Sequence, residues 1–67
     1  MSNIIFDLGF HNGDDTAYYI HKGYNVIAVE ANPYLYEVGK QRFKKEIEAN
    51  RLVLLNRAFV DSINDNI

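Results

Sequence analysis

Three short apolar runs alternate with two amphipathic stretches along the chain. The apolar runs cover residues 3–8, 24–30 and 52–55, and their length and flanking turn residues predict β-strands. The stretches between them, residues 17–22 and 33 to about 49, predict helices. The order is β-α-β-α-β, which is typical of an α/β fold with parallel strands.

The first helix is bounded by recognisable residues at both ends. Asp14, Asp15 and Thr16 offer N-terminal caps and an acidic first turn. Gly23 stands where a glycine commonly terminates a helix. A helix from about residue 14 to 22 is therefore expected.

The second helix begins with a cap residue followed by proline, Asn32-Pro33, and Asn50 can close it. Apolar or small residues recur every four positions and predict one buried stripe. The stripe consists of Leu35, Gly39, Phe43 and Ile47, with Val38 beside it. Gly39 either permits close packing on the sheet or is incidental, since glycine costs about 1 kcal/mol inside a helix.

We expect a three-stranded parallel sheet in the order 3-2-1, which would place both helices on one face of the sheet. The strands are nevertheless apolar at both alternating positions, as Val26 and Ala28 against Ile27 and Val29 illustrate. Such strands expect cover on both faces. We therefore expect residues 1–67 to be a single partial domain, either the first half of a larger one or a subunit that pairs through its uncovered sheet face.

Composition narrows the class further. The chain has 67 residues, no cysteine and a net charge of −2, so neither disulfides nor a basic nucleic-acid footprint is expected. No apolar run approaches the roughly 20 residues of a membrane span, and the first residues do not resemble a signal peptide. A cytoplasmic location without nucleic-acid or membrane partners is the expectation, with a polar tail from about residue 62.

The loop after the first strand carries the candidate chemistry. Gly9 and Gly13 bracket a turn between a strand and a helix N-terminus, where backbone can approach a nucleotide closely. Asp14 and Asp15 add negative charge there, which disfavours a pyrophosphate and favours a ligand carrying a sulfonium and an amino group. Glu30 ends the second strand, where a carboxylate can accept hydrogen bonds from ribose hydroxyls.

Other nucleotide motifs fail in this loop. The dinucleotide fingerprint G-x-G-x-x-G is missing because His11 stands where its second glycine would be, and no G-K-[ST] occurs. His11 with Asp7 and Asp14 would place all ligands of a metal on one loop, so no metal site is expected. The basic positions Lys40, Arg42, Lys44 and Lys45 alternate with glutamates and predict a solvated helix face.

The two motifs, DLGFHNGDDT at residues 7–16 and VIAVEANP at 26–33, resemble those of the FkbM family of S-adenosylmethionine-dependent methyltransferases. The family motifs read like D-x-G-A-N-x-G-x-[ST] and V-x-A-[FV]-E-P-x-P. This chain departs from them with Phe10 for Ala, His11 for Asn, Asp15 at the [ST] position (Thr16 follows it) and Ala31 for Pro. The resemblance covers residues 3 to about 61 and implies the first half of a Rossmann-like, class I methyltransferase fold.

The resemblance also implies a cofactor, S-adenosylmethionine, and roles for individual residues. Its methionine part would lie by Asp7, Gly9 and Gly13, its ribose by Glu30, and its adenine by Asn32 and by residues 58–61, including Asp61. In related enzymes the groups that bind the methyl acceptor, a sugar or another small molecule, come mainly from later strands. No catalytic residue is therefore assigned, and an NAD- or nucleotide-binding module and a non-enzymatic, self-associating module remain as alternatives.

Overall fold

Three parallel strands form the centre of the structure, a computed structural model that describes residues 3–57. The sheet order is β1-β2-β3, which confirms the predicted α/β class and the 3-2-1 order. The elements in chain order are β1 (Ile4–Leu8), α1 (Asp14–His21), β2 (Asn25–Glu30), α2 (Pro33–Arg42), α3 (Lys44–Glu48) and β3 (Leu52–Asn56). The polar tail predicted from about residue 62 lies outside the described residues.

The core lies on one face of the sheet, against the helices. In the register of the strands, Val26 pairs with Leu52 and Ala28 with Leu54, and all four side chains are buried. Phe43, at the junction of α2 and α3, belongs to this core. Partly buried side chains of the helices pack against it: Ala17, Tyr19, Ile20, Tyr36 and Ile47. The prediction that the helices share one face is therefore confirmed.

The opposite face of the sheet is apolar and open. Seven side chains point to it, which we call the open face: Ile4, Phe6, Leu8, Ile27, Val29, Val53 and Leu55. Phe6 and Leu8 on the edge strand β1 are each 70% exposed. Within residues 3–57 no helix or strand covers this face. No helix among these residues is long and apolar enough to cross a membrane.

The prediction of one continuous second helix is wrong, because the helix is interrupted at one residue. Phe43, with φ −108° and ψ 28°, separates α2 from α3. The hydrogen bonds from the Phe43 N–H to the Gly39 carbonyl and from the Ile47 N–H to the Phe43 carbonyl persist, so the break is confined to one residue. Val38, expected beside the buried stripe, is exposed instead, whereas Gly39 and Phe43 are buried.

Gly39 is required by close packing. A Cβ atom there would lie 2.5 Å from Cε2 of Phe10 and 3.1 Å from Cδ2 of Leu54. The Phe10 ring fills this space and packs edge-to-face on Phe43, with ring centroids 5.7 Å apart. Of the two interpretations of Gly39, the structure supports close packing and not an incidental glycine.

The helix ends agree with the sequence at three of four termini. Asn32 caps α2 by accepting hydrogen bonds from the N–H groups of Tyr34 and Leu35. Gly23 and Asn50, which follow α1 and α3, have φ values of 99° and 62°. These left-handed conformations end each helix as predicted.

The start of α1 differs from the expectation that Asp14 and Asp15 cap it. Gly13 is the N-cap residue, and it has no side chain that could accept a hydrogen bond from the helix. Both aspartates therefore lie inside the first helical turn and do not cap it. The Oδ1 atom of Asn12 accepts a hydrogen bond from the Asp14 N–H instead, at 3.1 Å. The predicted acidic first turn is confirmed, and the predicted caps are wrong.

Candidate functional site

The carboxyl ends of the strands bring most of the predicted site residues to one edge of the sheet. Asp7 and Gly9 lie at the end of β1, and Glu30 ends β2. Asn32 follows in the turn before α2, and Gly13 lies at the start of α1. Ligands of open parallel sheets bind at this edge, outside the strand ends.

Glu30 connects the two turns that form this edge. Its side chain is buried, at 6% exposure for the residue. Oε1 accepts a hydrogen bond of 2.6 Å from the main-chain N–H of His11, and Oε2 accepts one of 2.9 Å from that of Asn32. One carboxylate therefore joins the loop after β1 to the turn after β2.

The environment of Glu30 keeps its carboxylate charged. Burial raises the pKa of this group, but the hydrogen bonds from the N–H groups of Asn32 and His11 lower the pKa and prevail, so that it falls below the ordinary value of 4.5. An ionised carboxylate has about four lone-pair sites, and two are used here. Capacity remains to accept hydrogen bonds from a diol.

Asp7 is held by a residue that sequence reasoning did not select. Thr16, in the first turns of α1, is fully buried, and its hydroxyl donates a 2.7 Å hydrogen bond to Oδ2 of Asp7. This contact fixes α1 to the end of β1. Its sequence signal is a hydroxyl residue shortly after the second loop glycine.

The loop between β1 and α1 follows a tightly bent path. Gly9 and Gly13 have φ values of 85° and 92°, in the left-handed region that favours glycine. His11 also lies there, with a φ of 55°. Two consecutive N–H groups, those of Gly9 and Phe10, donate to the carbonyl of Val29 at 2.9 and 3.0 Å and dock the loop on β2.

Most N–H groups of this loop already have acceptors inside the protein. Besides those of Gly9 and Phe10, the His11 N–H binds Glu30, the Gly13 N–H binds the Phe10 carbonyl, and the Asp14 N–H binds Asn12. Phosphate-binding loops instead direct such groups at the ligand. The loop is thus poorly supplied with free donors for a pyrophosphate.

Arg42 reaches the loop from α2, although its sequence context predicted a solvated helix face. Its Nη1 atom donates to the carbonyl oxygen of Asn12 at 2.7 Å and lies 3.1 Å from Oδ1 of Asp14. Both side chains are largely exposed, so the ion pair is worth about 0–1 kcal/mol. The contact offsets part of the acidic charge at the start of α1.

The turn after β2 is held from both sides. The side chain of Asn32 is occupied with capping α2, and Nδ2 of Asn56 donates to the carbonyls of Glu30 and Ala31 at 2.8 and 3.2 Å. The side chain of Asn32 is therefore a scaffold for this turn, while its predicted place beside an adenine remains untested. Asp61, predicted to lie near the same base, is outside the described residues.

Neither a metal-ligating cluster nor the cavity between α2 and α3 lies at this edge of the described residues. Residues 3–57 hold no cluster of three metal-ligating side chains. A surface cavity of about 230 Å³ lies between α2 and α3, lined by Lys40, Gln41, Lys44, Ile47 and Glu48. It includes none of the predicted site residues.

Comparisons of the chain with protein-family models, with curated protein sequences and with solved structures found no match.

Proposed function

We propose that the chain is the S-adenosylmethionine-binding, N-terminal portion of a methyltransferase that acts on a sugar or another small molecule. Its part in the reaction is to hold the methyl donor, because methyl transfer depends on fixing donor and acceptor relative to each other. The proposal assigns no catalytic residue and no acceptor site to these residues.

One observation carries the proposal: the buried, ionised carboxylate of Glu30 at the carboxyl end of β2. A carboxylate in this place in Rossmann-like folds binds the ribose hydroxyls. Here it also holds the glycine-containing loop through His11. The resemblance of residues 7–16 and 26–33 to the FkbM motifs supports the same assignment.

The charge and hydrogen bonding of the loop favour this cofactor over a dinucleotide. Asp7, Asp14 and Asp15 surround the loop with carboxylates, and most N–H groups of the loop bind acceptors within the protein. A pyrophosphate would meet repulsion and few free donors. A sulfonium with an amino group would meet attraction.

Titration of the isotope-labelled chain with S-adenosylhomocysteine, followed by NMR, tests the proposal. We expect saturable shifts of the amide signals of Gly9, His11, Gly13 and Asn32, and no competition by NAD. Absence of such shifts at millimolar ligand, or displacement by NAD at the same loop, would contradict it.

A pair of glutamine variants makes the test specific. Glu30→Gln removes the charge that faces the ribose, and loss of a hydrogen bond to a charged group predicts at least tenfold weaker binding. Glu48→Gln makes the same chemical change on exposed α3 and should leave affinity unchanged. Circular dichroism verifies that both variants are folded. Equal affinities for the two variants would contradict the role of Glu30.

The open face favours a second function that is compatible with the first, weak self-association. Four of its seven apolar side chains, Ile4, Phe6, Leu8 and Val53, are 46–70% exposed. A face-to-face pair would bury roughly 1,000 Å², which is below the range of stable specific interfaces and typical of weak ones. We therefore propose a second copy of this chain as its occupant, in a concentration-dependent dimer. Sedimentation at increasing concentration tests this, and a monomer at all concentrations would contradict it.

A further inference from the structure

His11 has an unusual backbone conformation for a residue with a side chain. Its φ of 55° lies in the left-handed region, which only a few per cent of residues other than glycine adopt, among them mainly asparagine, aspartate and histidine. The hydrogen bond from its N–H to the buried Glu30 carboxylate holds it there. Such strain is retained where the surrounding structure enforces it, and it is concentrated at functional sites.

This conformation lays the imidazole of His11 over Gly9. A Cβ atom built on Gly9 would lie 3.2 Å from Nε2 of His11, so the ring borders the bare backbone at the bend of the loop. His11 is exposed, and its imidazole takes part in no hydrogen bond or ion pair within residues 3–57. The ring is available to a ligand.

The Glu30 carboxylate divides the site into two sides. Oε1 faces the loop after β1 through His11, and Oε2 faces the turn after β2 through Asn32. A nucleoside bound by its ribose at Glu30 directs its base to one side and its 5′ substituent to the other. The loop side, with Asp7 at the end of β1, suits an amino group and a sulfonium.

The carboxylate of an amino-acid substituent needs a donor on this acidic side. The charged groups nearest the loop are Asp7 on β1, Glu30 on β2, Asp14 and Asp15 on α1, and Arg42 on α2. The other charged groups of α2, Glu37 and Lys40, pair with each other 3.8 Å apart. Arg42 is already bound to Asn12 and Asp14. The imidazole of His11 is therefore well placed to supply the N–H that a ligand carboxylate requires.

We propose that His11 determines specificity for the amino-acid end of the ligand by donating a hydrogen bond from its imidazole to the ligand carboxylate. This inference rests on the proposed function, since it takes the nucleoside to be bound at Glu30. It assigns to His11 a contact with the ligand, and not with the reacting methyl group.

Two ligands that differ in this end test the inference by calorimetry. S-Adenosylhomocysteine carries the amino-acid group, and 5′-methylthioadenosine lacks it. His11→Gly removes the imidazole and leaves no side-chain donor, and glycine adopts the left-handed conformation without strain. We expect it to weaken S-adenosylhomocysteine binding about tenfold and to change 5′-methylthioadenosine binding less than twofold.

His21→Gly is the matched control, because His21 is exposed in the last turn of α1, away from the loop. It should change neither affinity. Equal weakening of both ligands by His11→Gly, or no weakening, would overturn the inference and leave the proposed function standing. Failure of the unaltered chain to bind either ligand would overturn both.

Discussion

Oε1 of Glu30 and the main-chain N–H of His11, 19 positions apart in the chain, are joined by a hydrogen bond of 2.6 Å. The bond connects the end of one strand to the loop that follows its neighbour. The same carboxylate binds the N–H of Asn32 through its other oxygen. Ligand binding at Glu30 and the shape of both turns therefore depend on a single side chain.

Replacement of Glu30 by glutamine should destabilise the fold as well as weaken ligand binding. The amide oxygen can still accept one N–H, but the amide NH₂ then faces the other N–H donor. We expect a loss of about 1–3 kcal/mol in the free energy of unfolding, measured in urea. Glu48→Gln, at an exposed position, should change stability by less than about 0.5 kcal/mol. Equal stabilities would show that the two hydrogen bonds contribute nothing.

The contribution of Glu30 to stability should disappear in acid. Its folded pKa is lower than its ordinary value of 4.5, so the unfolded chain binds the proton more readily. The stabilisation is present above about pH 4.5 and is lost as the pH falls through the folded pKa. In urea titrations from pH 7 to pH 3, the difference between the unaltered chain and Glu30→Gln should shrink below pH 4.5. A difference that is constant with pH would contradict the lowered pKa.

The strand pattern was sufficient to place Glu30, because each strand could be located from its apolar run and parallel strands align their carboxyl ends. Gly9 and Gly13 could be selected because left-handed turns need glycine. For the expected 3-2-1 order, the right-handedness of the two crossovers was enough to place both helices on one face. These features depend on local sequence patterns and on general rules of topology, and both can be applied to a single sequence.

The partners of those residues could not be predicted in the same way. Thr16 reaches Asp7, and Arg42 reaches Asn12, through contacts set by how the helices pack on the sheet. The break at Phe43 likewise has no signal in the four-residue periodicity, which continues to Ile47. Tertiary packing fixed these details, and propensity gave no information about them.

Alanine at position 39 should be destabilising although alanine favours helices. The new Cβ would lie 2.5 Å from the Phe10 ring, and such overpacking costs about 2 kcal/mol against about 1 kcal/mol gained in helix propensity. We expect a net loss near 1 kcal/mol in urea unfolding. Gln41→Ala, at an exposed position of α2, should be neutral or slightly stabilising.

A double-mutant cycle attributes this effect to Phe10. Phe10→Leu should cost less in the Gly39→Ala background than in the unaltered chain, because the smaller side chain relieves the contact. The expected coupling is about 1 kcal/mol. Additive effects of the two substitutions would indicate that position 39 is limited by some other contact.

Thr16→Val and Thr16→Ser should distinguish the contribution of the Thr16 hydroxyl to stability from that of its buried methyl group. Valine has nearly the same shape but cannot donate to Asp7, and loss of a hydrogen bond to a carboxylate costs about 1.5–3 kcal/mol. Thr16→Ser keeps the donor and loses one buried methyl group, at about 1 kcal/mol. Thermal unfolding should therefore rank valine below serine. The reverse order would mean that the methyl group, and not the hydrogen bond, stabilises this position.

Polar substitution on the open face should reduce self-association without harming the fold. Phe6→Thr with Leu8→Thr replaces two largely exposed side chains by a residue that favours strands, so the core on the other face is untouched. We expect sedimentation of this variant to be independent of concentration, and its unfolding midpoint, measured at high dilution, to match that of the unaltered chain. Tyr34→Ser removes an equally exposed aromatic ring from the start of α2 and should leave association unchanged. If both variants reduced association equally, general surface hydrophobicity would be its cause, and the open face would have no specific role.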